Sequence, residues 1–201
     1  MKISALMIPD PLTIAEQAGI EEALEIMKIN SIRHLPVVGE GQRLKGFVTL
    51  GDLRQALIPS MLGELSLRDL MIADPITVNP DDEIEIAAQK IYKHKIGGMP
   101  VVREGRVLGI ITATDLLRAF IQMMGMLSAS SRIDVKIGNQ PKALQRAIDI
   151  IENQHGDIIN VGMTAQDSEQ KTFYFRLAAC PTAPIRKALE HAGFTVLDAM
   201  D

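Results

Sequence analysis

The chain has 201 residues, 47% of them apolar, with 21 Lys and Arg against 25 Asp and Glu for a formal net charge of −4. That apolar share supports a core for one large domain or two small ones. The negative balance, with 3% aromatic residues and no Trp, argues against a broad nucleic-acid surface or a platform for stacking bases.

The opening stretch Met1 to Met7 reaches Pro9 too soon for a signal-peptide core, and no apolar run approaches the roughly 20 residues that span a bilayer. A single cysteine, Cys180, leaves no internal disulfide. These features set the expectation of a soluble cytoplasmic protein, with neither nucleic acid nor membrane as a partner.

The chain then repeats itself. Leu6-Met7-Ile8-Pro9-Asp10-Pro11-Leu12-Thr13 recurs as Leu70-Met71-Ile72-Ala73-Asp74-Pro75-Ile76-Thr77, and Pro36-Val37-Val38 recurs as Pro100-Val101-Val102. Gly46-Phe47-Val48-Thr49-Leu50-Gly51-Asp52 recurs as Gly109-Ile110-Ile111-Thr112-Ala113-Thr114-Asp115. The offset is 64 at the start and 63 at the end, so one residue is lost at the turn around Gly105. One supersecondary unit used twice, packed on itself, is the simplest reading.

In each copy a short strand (Leu12-Thr13-Ile14, Ile76-Thr77-Val78) precedes a helix. The apolar stripes are Ile20, Ala23, Leu24 and Met27, then Ile84, Ala87, Ala88 and Ile91, at half-buried helical spacing. The strands Leu35 to Val38 and Met99 to Val102 follow, then glycine turns at Gly39-Glu40-Gly41 and Glu104-Gly105-Arg106. The strands Leu44 to Thr49 and Val107 to Thr112 then run into a last helix, giving β-α-β-β-α twice.

After the Met123, Met124, Met126 cluster, residues 128–131 read as a linker between a repeat region at 1–127 (copies at about 3–60 and 67–122) and a segment at 132–201. That segment alternates as a strand over Ile133 to Ile137. A helix with face Leu144, Ile148, Ile151 comes next, then paired strands (Ile158 to Met163, Thr172 to Ala178) around a polar connection, Thr164 to Lys171. A helix from Ala183 to His191 stops at Gly193 and precedes a strand over Phe194 to Leu197. The order β-α-β-β-α-β is a split βαβ sandwich, and the fold class of the whole is α+β.

Thr49-x-x-Asp52 and Thr112-x-x-Asp115 sit where strand meets helix. Two readings stay open, and they are compatible. Thr-x-x-Asp before an apolar run approximates a capping box. Equally, a helix start attracts phosphate, a Thr hydroxyl can donate to it, and a carboxylate suits the cis hydroxyls of a ribose. Gly46 and Gly109 are expected to leave room for a base against the backbone. Cys180 reads as a buried structural thiol. The four histidines (His34, His94, His155, His191) are dispersed without metal-ligand spacing, so neither a catalytic nor a metal site is expected.

The Met-x-x-Asp-Pro-x-Thr openings, the His34-Leu35-Pro36-Val37-Val38 strand and the closing Gly-x-x-Thr-x-x-Asp motifs resemble a pair of cystathionine-β-synthase (CBS) domains, a Bateman module. The resemblance covers residues 3 to about 122 and implies an adenosine-containing ligand (AMP, ADP, ATP or S-adenosylmethionine) in the cleft between the copies. It implies Asp52 and Asp115 on ribose and Thr49 and Thr112 facing phosphate. Adenine would lie against backbone near Thr13, Ile32, Thr77 and Ile96, with Pro36 and Pro100 on the adjoining strands. Arg33 and His34 would supply positive charge for phosphate, whereas their counterparts Gly97 and Gly98 cannot. The segment at 132–201 resembles an ACT domain. That family commonly has Pro-Gly-x-Leu at the first strand–helix turn, where this chain has Pro141-Lys142-Ala143-Leu144. Lys142 in place of glycine favours dimerisation or signal output over an amino-acid site. The CBS–CBS–ACT order also resembles the acetoin-utilisation protein B family. The resemblances together imply a non-catalytic regulatory homodimer with an unnamed downstream partner. The alternatives are a scaffold without ligand and an amino-acid sensor working through the ACT-like part.

Overall fold

The repeated phrases fold as a repeated structure. The computed structural model describes residues 1–56, 66–125, 130–164 and 170–201, and the chain divides into two units, Met1–Leu117 and Arg118–Asp201. In the first unit a 3-10 turn at Ile3–Ala5 and a two-residue strand β1 (Ile8–Pro9) lead into β2 (Ile14–Ala15) and α1 (Ile20–Ile29). Then come β3 (His34–Val38), β4 (Leu44–Thr49) and α2 (Leu50–Ala56). The second copy runs through α3 (Leu67–Leu70), α4 (Ile84–His94), β5 (Gly98–Arg103), β6 (Arg106–Thr112) and α5 (Ala113–Met123).

The two cores correspond residue by residue. Ile14, Ala23, Leu35, Val37 and Val48 are buried in one, and their counterparts Val78, Ala87, Met99, Val101 and Ile111 are buried in the other. The leaders join the same scheme, since Ile3 and Leu67 are both fully buried. Their helical turns went unread in the sequence, although Ser66-x-x-Asp69 is a capping signature. Asp69 Oδ2 accepts from the Ser66 hydroxyl at 2.6 Å and from the Ser66 N–H at 2.9 Å. Helices α1 and α4 each give way to a left-handed residue, Ser31 (φ 54°) after one and Lys95 (φ 54°) after the other.

The lost residue is a change of hairpin. Gly39 N–H bonds the Arg43 carbonyl at 2.8 Å across a three-residue loop, whereas Arg103 pairs directly with Arg106. Glu104 and Gly105 (φ 52° and 77°) are both left-handed, as a two-residue type I′ turn requires. The expected opening strands are shorter than the sequence suggested. β2 pairs in parallel with β3 over two residues, and the second copy has a single parallel bridge, Val78 to Val101. Pro80, lacking an N–H, cannot extend that ladder.

The leaders cross over. β1 pairs antiparallel with β6 of the other copy, Ile8 against Ile110 and Pro9 against Gly109. Reciprocally, Ile72 and Phe47 exchange backbone bonds of 2.9 and 3.0 Å. The space at the two strand glycines, expected for a base, is filled by these leaders. A Cβ on Gly109 would sit 2.6 Å from Met7 Sδ and 2.9 Å from the Ile8 carbonyl, and one on Gly46 would strike Met71.

In the second unit, β7 (Ser130–Gly138), α6 (Ala143–Asn153), β8 (Ile158–Thr164), β9 (Gln170–Ala178), α7 (Ala183–His191) and β10 (Thr195–Met200) follow the expected β-α-β-β-α-β order. The antiparallel sheet has the order β10-β7-β9-β8. Ile133, Val135, Phe175 and Leu177 from the sheet and Ala147, Ile151, Ile185 and Leu189 from the helices make its core.

Three details differ from expectation. Ser130 and Ser131 belong to β7 rather than to a linker, and Ser131 bridges the Cys180 backbone, its Oγ 2.8 Å from the carbonyl and 2.9 Å from the N–H. α6 faces the sheet with Ala143, Ala147 and Ile151, leaving Leu144 exposed, because small residues let the helix approach closely. Cys180 lies beyond the end of β9 and is half-buried. Lys142 adopts φ 62°, so the turn keeps a backbone that glycine would occupy without steric cost. Residues 57–60, 126, 128, 129 and 165–169, which earlier fell within the first copy, the Met cluster, the linker and the polar connection, lie outside the described residues. Among the described residues no helix is long and apolar enough to cross a membrane.

Candidate functional site: two clefts between the repeats

Each closing motif forms a capping box. Asp52 Oδ2 accepts from the Thr49 hydroxyl at 2.7 Å and the Thr49 N–H at 3.0 Å, while the Asp52 N–H reaches back to Thr49 Oγ1 at 3.3 Å. Asp115 and Thr112 repeat this at 2.6, 2.9 and 3.3 Å. The next N–H of each helix is also satisfied from within the copy: Leu50 donates to the Arg33 carbonyl and Ala113 to the Gly97 carbonyl, both at 2.9 Å. The first-turn donors of the helix are thereby largely paired. Each box uses one carboxylate oxygen, Oδ2, and Oδ1 takes no part in it.

Two clefts lie between the copies. The larger, about 800 Å³, has Thr49, Leu50, Gly51, Asp52 and Phe47 from the first copy on one side and Asp74, Pro75, Ile76, Ile96 and Gly97 from the second on the other. The smaller, about 510 Å³, reverses the roles, with Pro11, Leu12 and Ile32 opposite Ile110, Thr112 and Thr114. Both volumes suit a small ligand. Of the expected site residues, Arg33, His34, Thr49, Asp52 and Ile96 meet in the larger cleft, and Ile32, Arg33, His34 and Thr112 in the smaller.

The others stand elsewhere. Asp115 is only 6% exposed and does not line the smaller cleft. Thr77 turns its carbonyl to Lys90 Nζ at 2.7 Å, and the Thr13 hydroxyl lies 3.4 Å from Gln42 Oε1. Pro36 and Pro100 are buried in β3 and β5, opposite Phe47 and Ile110. The lining residues missed in the sequence, Asp10-Pro11-Leu12 and Asp74-Pro75-Ile76, stood inside the repeated phrase. Their duplication was the available signal.

His34 stacks on Phe47 with ring centres 5.8 Å apart and planes 17° from parallel, and Gly97 packs so closely that a Cβ there would lie 2.8 Å from His34 Nε2. Burial lowers the His34 pKa below its ordinary 6.5, Arg33 adds to the shift and Asp52 opposes it. The imidazole thus binds its proton more weakly folded than unfolded. Its contribution to stability is complete above pH 6.5 and is lost as pH falls through the depressed value. His34→Gln is expected to flatten the decline in urea midpoint below pH 6.5, read from unfolding curves of wild type and variant.

Among the described residues no group of three or more His, Cys, Asp or Glu side chains is arranged to hold a metal. Comparison with known proteins places the cleft-forming unit. A family model described as "CBS domain" matches residues 3–59 and 67–122, more than half of the chain. The chain belongs to the CBS-domain family. This CBS-domain chain is 35% identical over 117 residues to a homoserine O-acetyltransferase of Methanohalobium evestigatum, a match spanning 58% of this chain but 23% of that enzyme. Among solved structures, the CBS domain pair of protein MJ0100, in complex with 5′-methylthioadenosine and S-adenosylmethionine, is 31% identical with a TM-score of 0.56, covering 60% of this chain and 95% of that one. A Vibrio cholerae protein assigned to acetoin utilization (AcuB) is 31% identical with a TM-score of 0.58, covering 63% and 96%. The CBS-pair protein CBSX2, in complex with AMP, is 25% identical with a TM-score of 0.54, covering 61% and 97%. The CBS family match ends at residue 122, before the four-stranded unit.

Proposed function

We propose that this chain is a non-catalytic cytoplasmic sensor whose CBS pair binds an adenosine-containing ligand between its copies. The observation that carries the reading is Asp52. Asp52 lines the larger cleft beside Gly51, together with the apolar residues Pro75, Ile76 and Ile96, and its Oδ1 stands outside the capping box. An acidic acceptor opposite an apolar slot suits a ribose diol joined to a planar base. The adenosine compounds bound by MJ0100 and CBSX2 support the same chemistry. The ligand acts as AMP, ADP, ATP or S-adenosylmethionine would, as a regulatory effector rather than a cofactor.

The four-stranded unit, with its β-α-β-β-α-β order and a glycine-like turn at Lys142, is read as ACT-like and assigned to dimerisation or signal output. Likeness to AcuB supports a regulator of carbon metabolism of the acetoin-utilisation kind. A homodimer would also cover Leu117, Phe120 and Met123, which are 56%, 53% and 50% exposed along α5.

A scaffold without ligand is the second reading, favoured by both capping boxes closing on their own backbone. Thermal unfolding with AMP, 5′-methylthioadenosine and S-adenosylmethionine separates the two. A true ligand at about 100 times its dissociation constant stabilises the fold by about 2.7 kcal/mol. A melting curve indifferent to all three would leave the scaffold.

A further inference from the structure

The two clefts share one wall. Arg33, His34 and Thr114 line both of them, whereas the positions equivalent to Arg33 and His34 in the second copy are Gly97 and Gly98. His34 itself packs over Gly97, so the imidazole of one copy leans across the position equivalent to Arg33 in the other. A Cβ at Gly98 would lie 3.0 Å from the Ile111 carbonyl, so this backbone resists a larger residue.

The remaining charges are uneven. The larger cleft adds the cations Arg54 and Lys95 to the acids Asp52 and Asp74. The smaller cleft adds only an acid, Asp10. Within the smaller cleft Arg33 is therefore the sole permanent cation among its lining residues, and His34 is held neutral near pH 7 by burial and by Arg33.

Building on the adenosine reading, we infer that the shared Arg33–His34 wall couples the clefts, so that the pair admits one phosphorylated nucleoside at a time. A phosphate in the larger cleft, already drawn by Arg54 and Lys95, engages Arg33 as well. The smaller cleft is then left with Asp10, which repels a second phosphate, and an uncharged imidazole, which does not offset it, so a neutral or cationic nucleoside is favoured there. The chemical class assigned to the second site is thus an adenosine compound without phosphate. Coupling of this kind makes each ligand's affinity depend on the charge of its neighbour.

Isothermal titration of the full chain at about pH 8 tests this with two probes, AMP and the uncharged 5′-methylthioadenosine. The expected result is two sites for 5′-methylthioadenosine, the Asp52 cleft the tighter, and for AMP a gap between the sites wider by at least about tenfold. 5′-Methylthioadenosine still fills one site after saturation with AMP. Arg33→Gln is expected to lower the affinity of the tight AMP site by about 10- to 150-fold relative to that for 5′-methylthioadenosine, the cost of one charged hydrogen bond. The Arg33 side chain is exposed and the helix contact uses its carbonyl, so the variant retains its fold. An AMP gap no wider than that for 5′-methylthioadenosine, or one that Arg33→Gln leaves unchanged, overturns the coupling and leaves the adenosine reading standing. A single site for both probes also overturns it. Absence of binding by either probe overturns both.

Discussion

Asp52→Ala is expected to lower affinity for AMP by about 10- to 150-fold, the equivalent of losing a charged hydrogen-bond acceptor worth about 1.5–3 kcal/mol. The same substitution opens the capping box, so the Thr49 N–H and hydroxyl lose their partner, at about 1 kcal/mol of unfolding free energy. The two losses are separable. Asp115→Ala opens the matching box and is expected to cost similar stability. It should leave the larger cleft's affinity nearly unchanged, because Asp115 is buried and does not line that cleft. Titration calorimetry beside urea unfolding of both variants makes the check. Equal AMP affinity in Asp52→Ala and wild type would reduce Asp52 to a helix cap.

Gly109→Val is expected to destabilise the fold by about 1–3 kcal/mol, the range for forcing extra methyl groups into a packed interior. The obstacle is partly backbone: the added Cβ meets the Ile8 carbonyl at 2.9 Å as well as Met7 Sδ at 2.6 Å. A thioether end can swing aside, but the carbonyl belongs to β1, which is held on β6 at Ile8 and Pro9. Either β1 detaches or β6 bends. The urea midpoint measures the loss, and a midpoint equal to wild type would show that β1 contributes nothing to stability.

The repeat was legible because its period is fixed by hydrophobic burial: Ala23 and Ala87, Val37 and Val101, and Leu35 and Met99 face equivalent cores. The capping boxes were legible for a similar reason, being local bonds over three residues. The crossed leaders were not. Met7-Ile8 and Met71-Ile72 look alike in the sequence whether each joins its own copy or the other, since strand partners far apart along the chain leave no local trace. For the same reason the missing side chains of Gly46 and Gly109 are visible in the sequence, whereas the opposite leader that fills their space is not. Arg33 and His34 stood out against Gly97 and Gly98. That all four gather at one wall required three dimensions. Thr13 and Thr77 were named from a motif, and the folded chain turns the neighbouring Leu12 and Ile76 to the clefts instead.

The exchanged leaders also bear on how such a protein can be divided or inherited. A lone half would carry away a tail meant for its sibling's sheet and would present β4 or β6 with a bare edge, an invitation to self-association. Transplantation of this region into another polypeptide is therefore expected to preserve its fold only when both halves travel together.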